Sequence, residues 1–181
     1  MAFKIAILAL MILMPTASRS QTVRKQWKYA ANYEKQFAKY SCKKTTPEEG
    51  QPPRLQLESN KSVQADTSLR NAIAELWGYY QLEAIESPAM FAGHYLVADE
   101  TKSPSSQVFY LIDIFDGKIY DGFTSANGWK LDIASRVALI DPPGEDGMYS
   151  DGCAKCSPPK AYLWNEKAKK FEALELESAG E

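Results

Sequence analysis

The strongest constraint on this chain is a change in the period of its apolar residues at Pro88. Ahead of it, Leu69, Ile73, Leu76, Tyr80 and Ala84 recur every three or four positions, the period of a helix with one buried face. Asp66 or Thr67 can cap that helix, because a short side-chain oxygen accepts from the first free amides. Ser87-Pro88 ends it, since the residue before a proline is driven out of helical geometry.

Beyond Pro88 the period becomes two. Phe91 to Ala98 reads as one strand, and Pro104-Ser105-Ser106 as a turn. The run Val108 to Phe115 is apolar on both faces, as expected of a central strand covered on both sides. Asp116-Gly117 is a hairpin signal, because tight primed turns need positive φ. Lys118 to Phe123 returns as its partner, and Asn127-Gly128 turns the chain before Trp129, Leu131 and Ile133. Arg136 to Ile140 is a short strand. A last hairpin pairs Ala161–Trp164 with Lys170–Leu176 across a turn over Asn165 to Lys169. Helices first and strands afterwards predict an α+β fold, with N-terminal helices packed on one face of an antiparallel meander of five to seven strands.

The chain begins Met-Ala-Phe-Lys and continues with a ten-residue apolar run, Ile5 to Met14, closed by Pro15 and small residues up to Ser20. A bilayer-spanning helix needs about 20 apolar residues. A basic start, a short apolar stretch and small residues before a cleavage point instead read as an export signal over residues 1–20. The mature chain is then expected in the periplasm or secreted, where disulfides persist. No later run has membrane length.

Residues 21–66 read as a basic arm and residues 67–181 as the α+β domain. In the arm, Val23, Trp27, Ala30, Tyr33, Phe37 and Tyr40 keep a helical period, with Arg24, Lys25, Lys28, Lys35 and Lys39 between them. Pro47, Gly50, Pro52 and Pro53 then break any regular pattern, as in a linker. Residues 21–61 carry nine basic and four acidic side chains, whereas residues 62–181 carry ten and nineteen. This balance excludes nucleic-acid binding by overall charge. It suits a basic arm that docks on its own acidic body or on an acidic partner.

Chemistry is advertised most openly by Cys153-Ala-Lys-Cys156. A thiol-exchange pair needs its first cysteine at a helix N-terminus, and Pro158-Pro159 would break such a helix in its second turn. Cys42, Cys153, Cys156 and His94 would make a permissible zinc set of three sulfurs and one nitrogen, although nothing in their spacing requires it. The reading adopted is one disulfide from Cys42 to Cys153 or Cys156, stapling the arm to the loop before the last hairpin, with one cysteine left over.

His94 is the only histidine, so any His-based catalysis must use it. On a strand between Gly93 and Tyr95 it reads more plainly as a hydrogen-bonded structural residue. Asp113, in the middle of the most apolar strand, would have a perturbed pKa if buried. Asp141, Glu145, Asp146 and Asp151 among glycines could hold calcium, but without EF-hand spacing. No Gly-x-Ser-x-Gly elbow or phosphate loop is present.

Four blocks, Phe91-Ala92-Gly93-His94-Tyr95, then Ile112-Asp113 ahead of Gly117-Lys118-Ile119-Tyr120, then Ser135-Arg136 before Asp141-Pro142-Pro143, and Tyr162-Leu163-Trp164 before Lys170-Phe171, resemble a family of small exported bacterial proteins of uncharacterised function. The resemblance covers residues 68–176 and implies a periplasmic bacterial protein. That family often carries a cysteine pair after its first strand, where this chain has Thr101 to Ser106 and none. The function expected is non-catalytic binding of a protein partner in the cell envelope, in one form as an inhibitor or immunity protein against a cell-wall-acting enzyme, with no cofactor. The alternatives are a small periplasmic hydrolase using His94 and Asp113, or a thiol or metal protein using Cys153 and Cys156.

Overall fold

The computed structural model describes residues 33–47, 53–82, 88–103, 106–142 and 159–175. Helical backbone at 33–39 forms α1. A 3-10 turn at Leu57–Ser59 leads into a short helix α2 (Lys61–Ala65) and a longer one, α3 (Thr67–Gln81). Eight strands follow: β1 (Met90–Phe91), β2 (Tyr95–Ser103), β3 (Ser106–Asp113), β4 (Ile119–Ser125), β5 (Trp129–Lys130), β6 (Val137–Ile140), β7 (Lys160–Asn165) and β8 (Lys170–Leu174). They form two antiparallel four-stranded sheets, ordered β1-β2-β3-β4 and β5-β6-β7-β8. The fold is α+β.

The expectation of one meander of five to seven strands is corrected in two places. Phe91 to Ala98 is not one strand. Phe91 pairs with Tyr95, and the chain reverses between them through Ala92 at φ 48° and Gly93 at φ 88°. A side chain on Gly93 would stand 2.5 Å from the Lys43 carbonyl oxygen, so the turn needs glycine both for its φ and for the close approach of the arm. The second correction lies at Asn127-Gly128. Here the chain turns, with Gly128 at φ 78°, and passes from the first sheet to the second.

The faces of β3 show why two sheets form. Tyr110 and Ile112 pack with Leu96, Ala98 and Ile119 under Val63, Leu69, Ile73 and Trp77 from α2 and α3. Phe109 and Leu111, on the other face, pack with Tyr95 and Val97 against Ala138, Ile140 and Trp164 of the second sheet. The expected double cover of β3 is therefore helix on one side and sheet on the other. The outer face of the second sheet, with Val137, Leu139 and Ala161, meets Tyr33, Phe37 and Tyr40 of α1 and its end. Helix therefore flanks the two sheets on both outer sides. The arm is fastened by Cys42 N donating to Ala134 O at 2.8 Å and Thr45 N to Gly93 O at 3.0 Å.

Local rules hold on the helical side. Asp66 caps α3 by accepting from Ser68 N at 2.9 Å and Leu69 N at 3.1 Å. The buried stripe of α3 is Leu69, Ile73 and Trp77, with Leu76 and Tyr80 only partly buried; Ala84 and Ser87 lie outside the described residues. The stretch read as linker contributes structure of its own, because Asn60 caps α2 through Val63 N at 3.1 Å and Val63 is fully buried. The last hairpin forms as expected, with strands Lys160–Asn165 and Lys170–Leu174 about a turn at 166–169; Asn165 belongs to the first strand, and Leu176 lies outside the described residues.

Candidate functional site

Three reversals of the chain meet at one end of the inter-sheet core. His94 closes the β1–β2 turn, Asp113 ends β3, and Glu166 and Lys169 form the turn between β7 and β8. The sequence placed His94 on a strand; the turn at 92–94 instead lets its ring face inward, 4.2 Å from the Tyr95 ring centroid and 4.9 Å from that of Phe115.

His94 and Asp113, separated by nineteen residues in sequence, are brought together. His94 Nε2 stands 3.7 Å from Asp113 Oδ2 and 3.7 Å from Glu166 Oε1, ion-pair distances that are too long for hydrogen bonds. Lys169 lies between the two carboxylates. Its Nζ donates to Asp113 Oδ2 at 3.2 Å, to the Tyr95 hydroxyl at 2.6 Å, and at very short range to Glu166 Oε1. Tyr95 donates in turn to Glu166 Oε1 at 2.6 Å, and Trp164 Nε1 to Glu166 Oε2 at 2.9 Å. Asp113 Oδ1 accepts from Phe115 N at 3.0 Å. Lys169 also sits over the Tyr95 and Tyr120 rings, 5.2 and 5.8 Å from their centroids.

The electrostatics follow from this packing. Burial pushes the Asp113 carboxyl upward, but His94, the Phe115 amide and Lys169 outweigh it and hold the group at about 2. Glu166 is likewise raised by burial and then drawn below the usual carboxylate range by Lys169 and Tyr95. For Lys169, burial favours the neutral amine, yet Glu166, Tyr95 and Asp113 drive the group strongly upward. Tyr95 is pushed well above the ordinary phenol value by burial and by its bond to Glu166. The stable arrangement is two carboxylates, one ammonium and a neutral phenol. Buried charges persist only when paired in this manner.

Ligand atoms of His94, Asp113 and Glu166 lie within 4.8 Å of one another, a set of one nitrogen and two oxygens that several divalent metals accept. The Lys169 ammonium, however, bonds to both carboxylates, so a metal ion would have to displace it. The set does not fit a resident metal.

Other candidates fall elsewhere. Cys42 is half-buried, and burial raises its thiol pKa above the usual value; Sγ donates to Ile133 O at 3.5 Å. Among the described residues it has no disulfide partner. Cys153 and Cys156 lie outside the described residues, and with them the expected staple and the zinc set. Asp141, read as a calcium ligand, accepts instead from Ser125 Oγ, Ala126 N and Asn127 N, each at 2.8 Å, and so organises the turn that joins the two sheets. Glu145, Asp146 and Asp151 lie outside the described residues.

Sequence reasoning missed Glu166, Lys169, Tyr95 and Trp164. The one available signal was Glu166 and Lys169, three apart in a turn that directly follows Trp164. A left-handed lysine, at φ 51°, is rarer than a left-handed glycine, and the residue type alone does not announce it. Compared with protein-family models, with curated proteins and with solved structures, the chain finds no match.

Proposed function

We propose that this chain is a non-catalytic binding protein of the bacterial cell envelope, exported by way of residues 1–20 and acting through contact with a protein partner. The observation that carries this reading is the closed charge network. Both carboxylates that could serve as a general base are already engaged, Asp113 by Lys169 and the Phe115 amide, Glu166 by Lys169, Tyr95 and Trp164. A general base must be free to take a proton near the operating pH, whereas Asp113 is held at about 2. The network joins β1–β2, β3 and β7–β8, so its chemistry serves the alignment of the two sheets. In one form of the reading the chain is an inhibitor or immunity protein against a cell-wall-acting enzyme; without residues 1–20, which hold Lys4 and Arg19, it has 19 basic and 23 acidic side chains, net −4, which suits the blocking of a basic cleft.

Pull-down from an envelope extract, followed by mass spectrometry, tests this. The expected result is one stoichiometric partner, retained by His94→Ala. The second reading, a small hydrolase, is favoured by the approach of His94 to Asp113 at 3.7 Å, with His94 as base and Asp113 orienting it. A hydrolytic activity on cell-wall fragments or simple esters, abolished by His94→Ala, would establish it and overturn the first.

A further inference from the structure

β4 ends the first sheet, and one side of its backbone has no ladder partner among the described residues. The chain at 56–59 covers only its beginning, through the parallel bridge Gln56↔Lys118 and the Ile119 amide, which donates to Ser59 Oγ at 2.9 Å. That bond fixes the outward phase of the strand. In an antiparallel ladder alternate residues point their N–H and C=O away from the partner, so Asp121 opens outward two positions on. Beside this edge lies a cleft of about 520 Å³, between the start of α2 and the start of β8.

Its charge runs against that of the whole chain. Lys61, Lys169 and Lys170 line it, with Asp121 the acidic residue, and the Asp121 carboxylate accepts from Asn60 Nδ2 at 2.7 Å. Lys169 is neutralised by the network described above. Lys61 and Lys170 are exposed and have no ion-pair partner among the described residues. Phe123 and Phe171 supply apolar wall.

The geometry points to strand addition: an extended acidic segment of a partner pairs with β4 as a fifth strand of the first sheet, its carboxylates on the helix-covered side toward Lys61, its intervening apolar side chains on the inter-sheet side against Phe123 and Phe171, with Lys170 adding to the positive field of the cleft. Main-chain bonds give such a complex its affinity, and side chains on alternate positions give it selectivity. A second copy of this chain fits less well, because two β4 edges would bring the same lysines together. The inference rests on the binding reading and names its surface.

The probe is a fluorescein-labelled peptide of about eight residues, alternating valine and glutamate, followed by anisotropy at low salt. Binding is expected, weakened about tenfold or more by Lys61→Glu with Lys170→Glu, by raised salt, and by N-methylation of alternate peptide amides. Equal binding of a valine–lysine peptide, indifference to N-methylation, or no binding each overturns it. So does binding of phosphatidylglycerol vesicles in place of the peptide, or a dimer that the double variant abolishes. Pull-down with the double variant separates the two levels: a partner captured equally by both proteins removes strand addition and leaves the binding function standing.

Discussion

The two interlayers that meet on β3 are built differently. On the helical side, Val63, Leu69, Ile73, Leu96, Ala98, Ile112, Ile114 and Ile119 are aliphatic, and Trp77 and Tyr110 are buried with them. Between the sheets Phe91, Tyr95, Phe109 and Trp164 are buried beside Ala92, Val97, Leu111, Ala138 and Ile140, and Tyr120, Phe123, Trp129, Tyr162 and Phe171 pack around them, so this layer is the richer in rings. The helical layer is mostly aliphatic, with the Trp77 and Tyr110 rings as its buried aromatic members. The aromatic layer ends in a polar network that must be satisfied group by group. Aliphatic cores tolerate exchange of similar volumes, whereas edge-to-face ring pairs and buried ion pairs depend on orientation. The inter-sheet layer is therefore where this fold is specified, and the helical layer is where it is padded.

Trp164→Ala should have the largest effect on the inter-sheet layer. Trp164 is fully buried, meets Tyr95, Tyr120 and Phe171 with centroids at 5.2, 5.8 and 4.9 Å, and donates to Glu166. Truncating a buried tryptophan costs about 4 kcal/mol. Ile73→Val, in the helical layer, should cost about 1 kcal/mol. Urea unfolding of both variants reads the difference; equal losses would mean that the two layers are not distinct.

Next in size is Lys169→Met, which keeps the side-chain volume and removes the charge. Asp113 and Glu166 would then keep only their bonds from Phe115 N, Tyr95 and Trp164, with no ammonium between them, and breaking a buried pair leaves an uncompensated charge. Lys169 is about one-third exposed, so the expected loss is about 2 kcal/mol rather than the larger cost of a fully buried pair. Adding Asp113→Asn should return part of it. A double variant that loses the sum of both single effects would show that the groups do not act as a network.

How far each layer could be read from sequence follows the same division. The helical layer is periodic along α3, so Leu69, Ile73 and the Asp66 cap were legible; the choice of Trp77 over Leu76 was not, nor was Val63, whose one-turn helix is too short to show a period. β3 was legible as doubly covered, but composition does not say whether sheet or helix supplies the second cover. The break at Ala92-Gly93 was hidden because Gly93 lies inside an apolar run, and its need for glycine arises from the Lys43 carbonyl, distant in sequence. His94 and Asp113 were singled out from sequence and paired only as the alternative hydrolase reading. Their meeting with Glu166 and Lys169 depends on three separate turns converging, and no spacing within a single segment records that.

Acid unfolding sharpens the contrast further. Asp113 has a folded pKa of about 2 against an ordinary value of 3.8. A depressed carboxyl contributes stability that is fully present above the unfolded value and is lost as pH falls through the folded one. Asp113 should thus contribute about 2 kcal/mol above pH about 4 and progressively less toward pH about 2. Glu166, lowered as well, adds in the same direction. In Asp113→Asn the slope of stability against pH over that window should flatten, and an unchanged slope would take Asp113 out of the network.

The smallest effect belongs to the helical layer and is purely local. Asp66→Ala removes the side chain that accepts from Ser68 N and Leu69 N, and loss of such a cap costs about 1 kcal/mol. Because α3 is held by Leu69, Ile73 and Trp77 and not by its cap, the variant should lose stability without disturbing the inter-sheet layer. Near-ultraviolet circular dichroism, dominated by the buried aromatic rings, should be unchanged while the unfolding midpoint falls. Asn60→Ala makes the informative partner, since Asn60 both caps α2 and bonds Asp121 of β4, so it should cost more than Asp66→Ala although the helix it caps is shorter. If the two losses are equal, the Asn60–Asp121 bond contributes nothing, and the anchoring of α2 beside the open edge of β4 rests on Val63 and on the Ser59–Ile119 bond.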